Sequence, residues 1–186
     1  MVRRAVREGH LIANHTVSHQ NLCAIDEDQA AREIDENRRA YRALTGLPII
    51  LFRTPYGSKC QRLRRMLAER SLDHTHWDID AQEWRHHSSK RMVRFITGKL
   101  KHLEGRAVVL MHDTYRVTVI ALPEILDWIE KENERRKKTG RRRPIRIINS
   151  VDYLSERLDT DVLVWAAEST TALSNWLQSA FNKLIP

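Results

Sequence analysis

The sequence predicts an α/β chain, either a parallel sheet covered by helices on both faces or a β/α barrel. Three observations point there. The run Ala107-Val108-Val109-Leu110-Met111 is continuously apolar, as in strands buried on both faces. Such runs are separated by segments with helical spacing of apolar residues. The chain has 186 residues, 41% hydrophobic and 30% charged. That is a globular composition, and a domain of this length buries roughly 70% of its unfolded surface without needing a metal or a disulfide.

The elements follow in order. Val2, Ala5 and Val6 share one side of a short helical turn that ends at Gly9 but has no Ser, Thr, Asp or Asn to start it, so it reads as the tail of a longer helix. An apolar stretch at 11–13 leads into a polar loop to about residue 21. Residues 26–44 form the clearest helix, with Ala30, Ile34, Tyr41 and Leu44 on one face, acids at the start and Gly46 beyond the end. A strand at 49–52 stops at Arg53-Thr54-Pro55-Tyr56-Gly57, where Pro and Gly forbid continuation. A helix at 61–70 turns Leu63, Met66 and Leu67 inward. A strand at 75–80, a helix at 89–103, a strand at 106–112, a helix at about 117–138 and a strand at 145–148 complete the alternation. From Leu158 the apolar spacing suggests one or two amphipathic helices, giving a main domain over 1–157 and a C-terminal helical extension over 158–186.

Composition excludes some classes. Lys and Arg total 32 against 24 Asp and Glu, a net charge of +8, so the chain is not acidic. Net charge alone does not make a nucleic-acid binder. The two cysteines, Cys23 and Cys60, have no C-x-x-C spacing and indicate neither a zinc ribbon nor a disulfide framework; one bridge between them is left open. No apolar run approaches the roughly 18 residues of a membrane span, and the N-terminus has no apolar segment of the export-signal type. The localisation is left open.

Four strand ends carry polar residues suited to chemistry, in the place where β/α architectures collect function. His15 and His19 in His15-Thr16-Val17-Ser18-His19 fall on one side of a turn, and two imidazoles can converge on a divalent cation. In a chain with nine histidines such a pair alone is more often coincidence. Arg53-Thr54-Pro55-Tyr56-Gly57 sets a guanidinium beside backbone N–H groups, an anion cradle, although most Pro-Gly turns are merely turns. Trp77 to Trp84 brings carboxylates next to indoles that could pack on a sugar ring; the plainer reading is an exposed acidic loop. His112 ends the most apolar strand and, taken singly, is as readily a hydrogen-bonded core residue.

In order, these segments resemble the motifs of the NodB-like polysaccharide deacetylase family, carbohydrate esterase family four. E-G-H-L-I-A-N-H-T-V-S-H-Q-N-L resembles its H-[S/T]-x-x-H motif, R-T-P-Y-G its R-x-P-Y, D-I-D-A-Q-E-W its D-x-x-D-W, and V-V-L-M-H-D its L-x-H, over about residues 2–153. The resemblance implies a deformed β/α barrel and metal-dependent removal of N- or O-acetyl groups from sugars. It implies His15 and His19 as metal ligands, Arg53 as the residue that holds the catalytic base, and the Tyr56 backbone N–H as an oxyanion donor. It implies His112 as the general acid, tuned by Asp80, and Trp84 and Leu110 as walls of the acetyl pocket. Glu83 stands where the fourth motif has Asp and is given no catalytic role.

The family's first motif, T-F-D-D-G, has no counterpart, and no Asp-Asp pair occurs. In the family it supplies the general base and the third metal ligand. The expectation is therefore an incomplete barrel lacking its first strands, a divalent ion such as Zn, Co or Ni held weakly, and low or no deacetylase activity for this chain. The partner is an acetylated polysaccharide or oligosaccharide such as chitin oligomers or peptidoglycan. The alternatives are a non-catalytic carbohydrate-binding relic using Trp77, Trp84 and Tyr56, and a binder of nucleic acid or anionic surfaces using the basic run from Arg135 to Arg146. That last reading is the least favoured, because cations suit the end of a long helix.

Overall fold

The computed structural model describes residues 1–148 and 153–154, so the expected C-terminal helical extension over 158–186 lies outside the described residues. The described residues form two compact units, one built on Met1–His76 and the other on Trp77–Ile147.

In the first unit, helix α1 (Val2–Arg7) has no side-chain cap at its start, as its sequence suggests. It ends where Gly9 takes φ 82 and the Gly9 and His10 N–H groups donate back to Val6 and Ala5. These two bonds satisfy carbonyls that the helix end leaves over. Helix α2 (Glu27–Thr45) starts on Asp26, whose carboxylate accepts from the Gln29 N–H at 2.7 Å, and ends on the left-handed Gly46. It buries Ala30 and Ile34, leaves Tyr41 half-buried, and exposes 49% of Leu44, which the spacing had placed inward. Leu44 sits in the last turn, beyond the reach of the core. Strand β1 (Leu51–Arg53) is shorter and later than the apolar run implied. After a turn at Pro55–Gly57, helix α3 (Gln61–Ala68) buries Leu63, Met66 and Leu67 as expected. Strand β2 (Asp73–Thr75) lies parallel to β1 with Arg53 opposite Thr75, and Asn14 bridges to Phe52 in the same sense. Leu22, Ile34, Phe52, Leu63 and Met66 form the core of this unit.

In the second unit, strand β3 (Ile79–Asp80) pairs parallel with β4 (Val109–Leu110), Asp80 opposite Leu110. Helices α4 (Ser89–Lys101) and α5 (Arg116–Thr139) enclose Met92, Ile96, Ala121 and Ile125. The single strand expected over 75–80 is thus two strands in separate sheets. The Asp78 carboxylate accepts from the Val108 N–H at 2.7 Å, while the Asp78 and Ile79 N–H groups both donate to the Val108 carbonyl. A side chain has taken a backbone partner there, and the ladder starts only at residue 79. The strand expected at 106–112 contracts to Val109–Leu110; the same contact cuts its start, and at its end the His112 N–H donates to the Glu83 side chain. Residues 145–148 form no strand among the described residues, because the Asn133 side chain occupies both the N–H and the carbonyl of Ile145. Among the described residues, no helix is long and apolar enough to cross a membrane.

Candidate active site

Each unit carries part of the predicted site. In the first, the loop with the histidine pair is held from three sides. Asn14 is fully buried; its backbone joins β1 through Leu51 and Arg53, its Nδ2 donates to the Ile34 carbonyl, and its Oδ1 accepts from the Thr16 N–H. Asn37 on α2 donates to the Thr16 carbonyl. Glu33, also on α2, accepts from the Val17 and Ser18 N–H groups and from the Ser18 hydroxyl at 2.6–2.9 Å. Burial pushes the Glu33 carboxyl upward, but the bonds from Ser18, Val17 and Thr16 outweigh it and hold it below the usual carboxylate range. These contacts keep Thr16 and His19 at φ 68 and 60, conformations that residues with a side chain rarely adopt.

His15 Nδ1 lies 2.6 Å from the Arg53 carbonyl oxygen. A carbonyl only accepts, so Nδ1 carries the hydrogen, and Nε2 of the neutral ring keeps its lone pair. A metal-binding imidazole needs this arrangement. The His15 and His19 rings are 4.8 Å apart edge to face, and the His19 ring is 4.7 Å from that of Tyr56. The imidazole donors suit a borderline divalent ion such as zinc, but among the described residues no third His, Cys, Asp or Glu joins them. The donor chemistry fits a metal; the number of donors falls short of a full set.

Arg53 leaves β1 half-buried, with its Nε enclosed and without a hydrogen bond among the described residues. Burial pulls its guanidinium below the ordinary value, and Tyr153 works against that shift. The phenol of Tyr153 is hydrogen-bonded to Thr75, the residue paired with Arg53 across the sheet. Tyr56 follows Pro55 at φ 58 with 70% of its surface exposed. The structure therefore gathers His15, His19, Arg53 and Tyr56 within one unit.

The second unit holds the rest and sets Glu83 beside His112. His112 follows β4. Its backbone N–H and its ring Nδ1 both reach Oε1 of Glu83, at 2.8 and 2.6 Å. Glu83 is completely buried, and its Oε2 has no hydrogen bond among the described residues. Asp80, expected beside His112, instead accepts from the Gln82 N–H at 2.8 Å and closes its own turn. That turn, with Gln82 at φ 50, carries Glu83 inward. The signal for Glu83 was present in the sequence, an acid immediately before Trp84 where D-x-x-D-W has its second Asp. Trp84 is 44% exposed with the Arg85 guanidinium over its ring, and Leu110 is buried.

The basic run that begins in the last turns of α5 is partly spent inside the unit. Arg136 is buried and donates to Glu132 and to the carbonyls of Leu100, Lys101 and Arg143. Arg135 also pairs with Glu132, Lys137 with Glu134, and Arg142 donates to Lys101.

Comparison with known proteins agrees with the motif order. The profile of the polysaccharide deacetylase family matches residues 1–77. A peptidoglycan-N-acetylglucosamine deacetylase of Bacillus cereus is 27% identical over 139 residues, 73% of this chain and 50% of that protein. A chitooligosaccharide deacetylase of a Bradyrhizobium strain is 32% identical over 117 residues, 62% of this chain and 52% of its own. The structure of a family 4 carbohydrate esterase from Streptomyces lividans in complex with acetate superposes with a TM-score of 0.63 at 30% identity, over 70% of this chain and 66% of the other. The chain spans about half the length of the curated relatives it matches. With four motifs in order, parallel β/α pairing and these matches, the chain belongs to the NodB-like polysaccharide deacetylase family, carbohydrate esterase family four.

Proposed function

We propose that this chain takes part in hydrolysis of acetamido groups on an acetylated polysaccharide or oligosaccharide of the chitin-oligomer or peptidoglycan type, and that alone it does so weakly. The observation that carries the reading is the buried Glu83 carboxylate gripping His112. A carboxylate on Nδ1 fixes the tautomer and aim of the ring, turning Nε2 outward as a proton donor. In this reading Nε2 of His112 delivers a proton to the sugar nitrogen as the C–N bond breaks, so that the products are acetate and a free amine.

His15 and His19 would hold a divalent ion such as zinc, cobalt or nickel, which when bound supplies Lewis-acid polarisation of the acetyl carbonyl. The Tyr56 N–H would donate to the oxygen that gains charge. Arg53 has a half-buried guanidinium whose Nε makes no hydrogen bond among the described residues, the group that a carboxylate base would pair with, and the 186 residues contain no Asp-Asp pair to provide it. That shortfall is why weak activity is expected. Trp84 and Leu110 would line the acetyl pocket. The exposure of Tyr56 and Trp84 also favours a second reading, sugar binding without turnover.

Acetate release from N-acetylated chitooligosaccharides and from peptidoglycan, with added zinc or cobalt, tests the proposal. Slow release that His112→Ala abolishes supports it. Saturable sugar binding with no release that depends on His112 would favour the second reading.

A further inference from the structure

Cys23 and Cys60 form a disulfide, their Cα atoms 6.0 Å apart. Cys23 lies four residues beyond His19, and Cys60 four residues beyond Tyr56. The bridge therefore ties the histidine loop to the Arg53–Tyr56 turn just past their chemistry-bearing residues. The same two segments meet where His15 donates to the Arg53 carbonyl, where the His19 and Tyr56 rings touch, and where Arg62 donates to the carbonyls of Leu22 and Ile25.

We infer that the Cys23–Cys60 disulfide is a redox-sensitive clamp on this half of the site. Its reduction by a dithiol lets the His19 loop and the Tyr56 turn separate and weakens the hold of His15 and His19 on a divalent cation; reoxidation restores both. The inference rests on the reading of those histidines as ligands. In the exchange, one thiolate of the reductant attacks a sulfur and releases the other cysteine as a thiolate. The second thiolate then resolves the mixed disulfide, leaving two protein thiols and an oxidised reductant.

Two features make the clamp a local device. His19 and Tyr56 both sit at positive φ, a conformation that persists only where its surroundings impose it. Asn14, Asn37 and Glu33 restrain the loop up to Ser18, whereas past His19 the bridge is the covalent restraint. The remaining anchors, fully buried Leu22 and the Arg62 bonds, do not depend on the sulfurs and keep the unit folded on reduction. Both cysteines pack only partly buried against the core, so a small reductant can reach them.

The test is hydrogen exchange on the oxidised protein, on the same sample after dithiothreitol, and on C23S/C60S, followed by cobalt titration after removing the reductant under argon. Amides in 15–23 and 53–60 should exchange roughly tenfold faster or more on reduction, while α2 and α3 stay protected, as expected of local opening. Cobalt affinity should fall on the order of tenfold, the range typical of lost outer supports. If the two loops gain no more exchange than α2 and α3, or if cobalt binds equally in both states, the clamp is overturned and the bridge is only a structural staple. If the loops loosen but neither state binds cobalt, the clamp stands and the ligand reading fails. Should C23S/C60S not fold, the reduced native chain decides.

Discussion

Glu83 places one oxygen on both the N–H and the Nδ1 of His112, and its other oxygen is sealed from solvent. Replacing it by Gln keeps the volume and removes the charge, so the loss should appear in turnover more than in substrate binding. Glu83→Gln should lower kcat roughly 10–100-fold with little change in KM. In the same variant the downfield Nδ1 proton of His112 should vanish from the NMR spectrum, a readout that does not need turnover. An unchanged rate together with an unchanged resonance would show the pair to be inert. Asp80→Asn should instead leave the His112 resonance in place, because the hydrogen bond Asp80 accepts among the described residues comes from the Gln82 N–H. The motif D-I-D-A-Q-E-W announces that a carboxylate matters here. Which of two acids three residues apart turns inward depends on the positive φ at Gln82, a backbone choice that the residue types do not reveal.

Helix α5 shows how an element can bury charge. Glu132 and Arg136 are both nearly inaccessible, and Arg136 closes the end of α4 by donating to the carbonyls of Leu100 and Lys101. Hydrogen bonds from Arg135 first and Arg136 second hold the Glu132 carboxyl at about 2, against an ordinary 4.5. The unfolded chain therefore takes up a proton at Glu132 before the folded one does. The stabilisation is complete above about pH 4.5 and is lost as pH falls toward 2, with an upper bound on the order of 3 kcal/mol. Urea midpoints followed by Trp128, half-buried on this same helix, should fall across that window. Glu132→Gln should flatten the dependence while lowering stability at neutral pH. The helices were legible in the sequence because their apolar spacing and caps are local, as the acids at the start of α2 and Gly46 at its end show. The strands were not legible at their true length, because a strand exists only where a neighbour supplies hydrogen bonds, and Asp78 and Asn133 intercept those bonds.

At the scale of the whole chain, the net charge of +8 predicts loose attraction to polyanions. Much of the basic run at the end of α5 and beyond it is engaged with Glu132, Glu134 and main-chain carbonyls, which leaves fewer cations to follow a phosphate backbone. Binding to duplex DNA should be measurable only at low salt and should be gone at about 0.15 M, as expected of counterion release without a formed groove. A fluorescence titration across salt checks this, and affinity that survives physiological salt would reopen the nucleic-acid reading.

Residue identity alone determined the family, through four motifs whose order and spacing are carried in the linear chain, and it located the helices, whose stabilising contacts lie within a few residues. It also placed His15, His19, Arg53, Tyr56 and His112 at strand ends. Tertiary structure decided what distant residues do to one another. Glu83 and not Asp80 meets His112, Glu33 and Asn37 brace the histidine loop from α2, and Cys23 finds Cys60 across 37 residues. Each of these is a contact made by a side chain with a group far away in sequence or in competition for one position, and folding selects among such partners by burial and backbone geometry that no local pattern records.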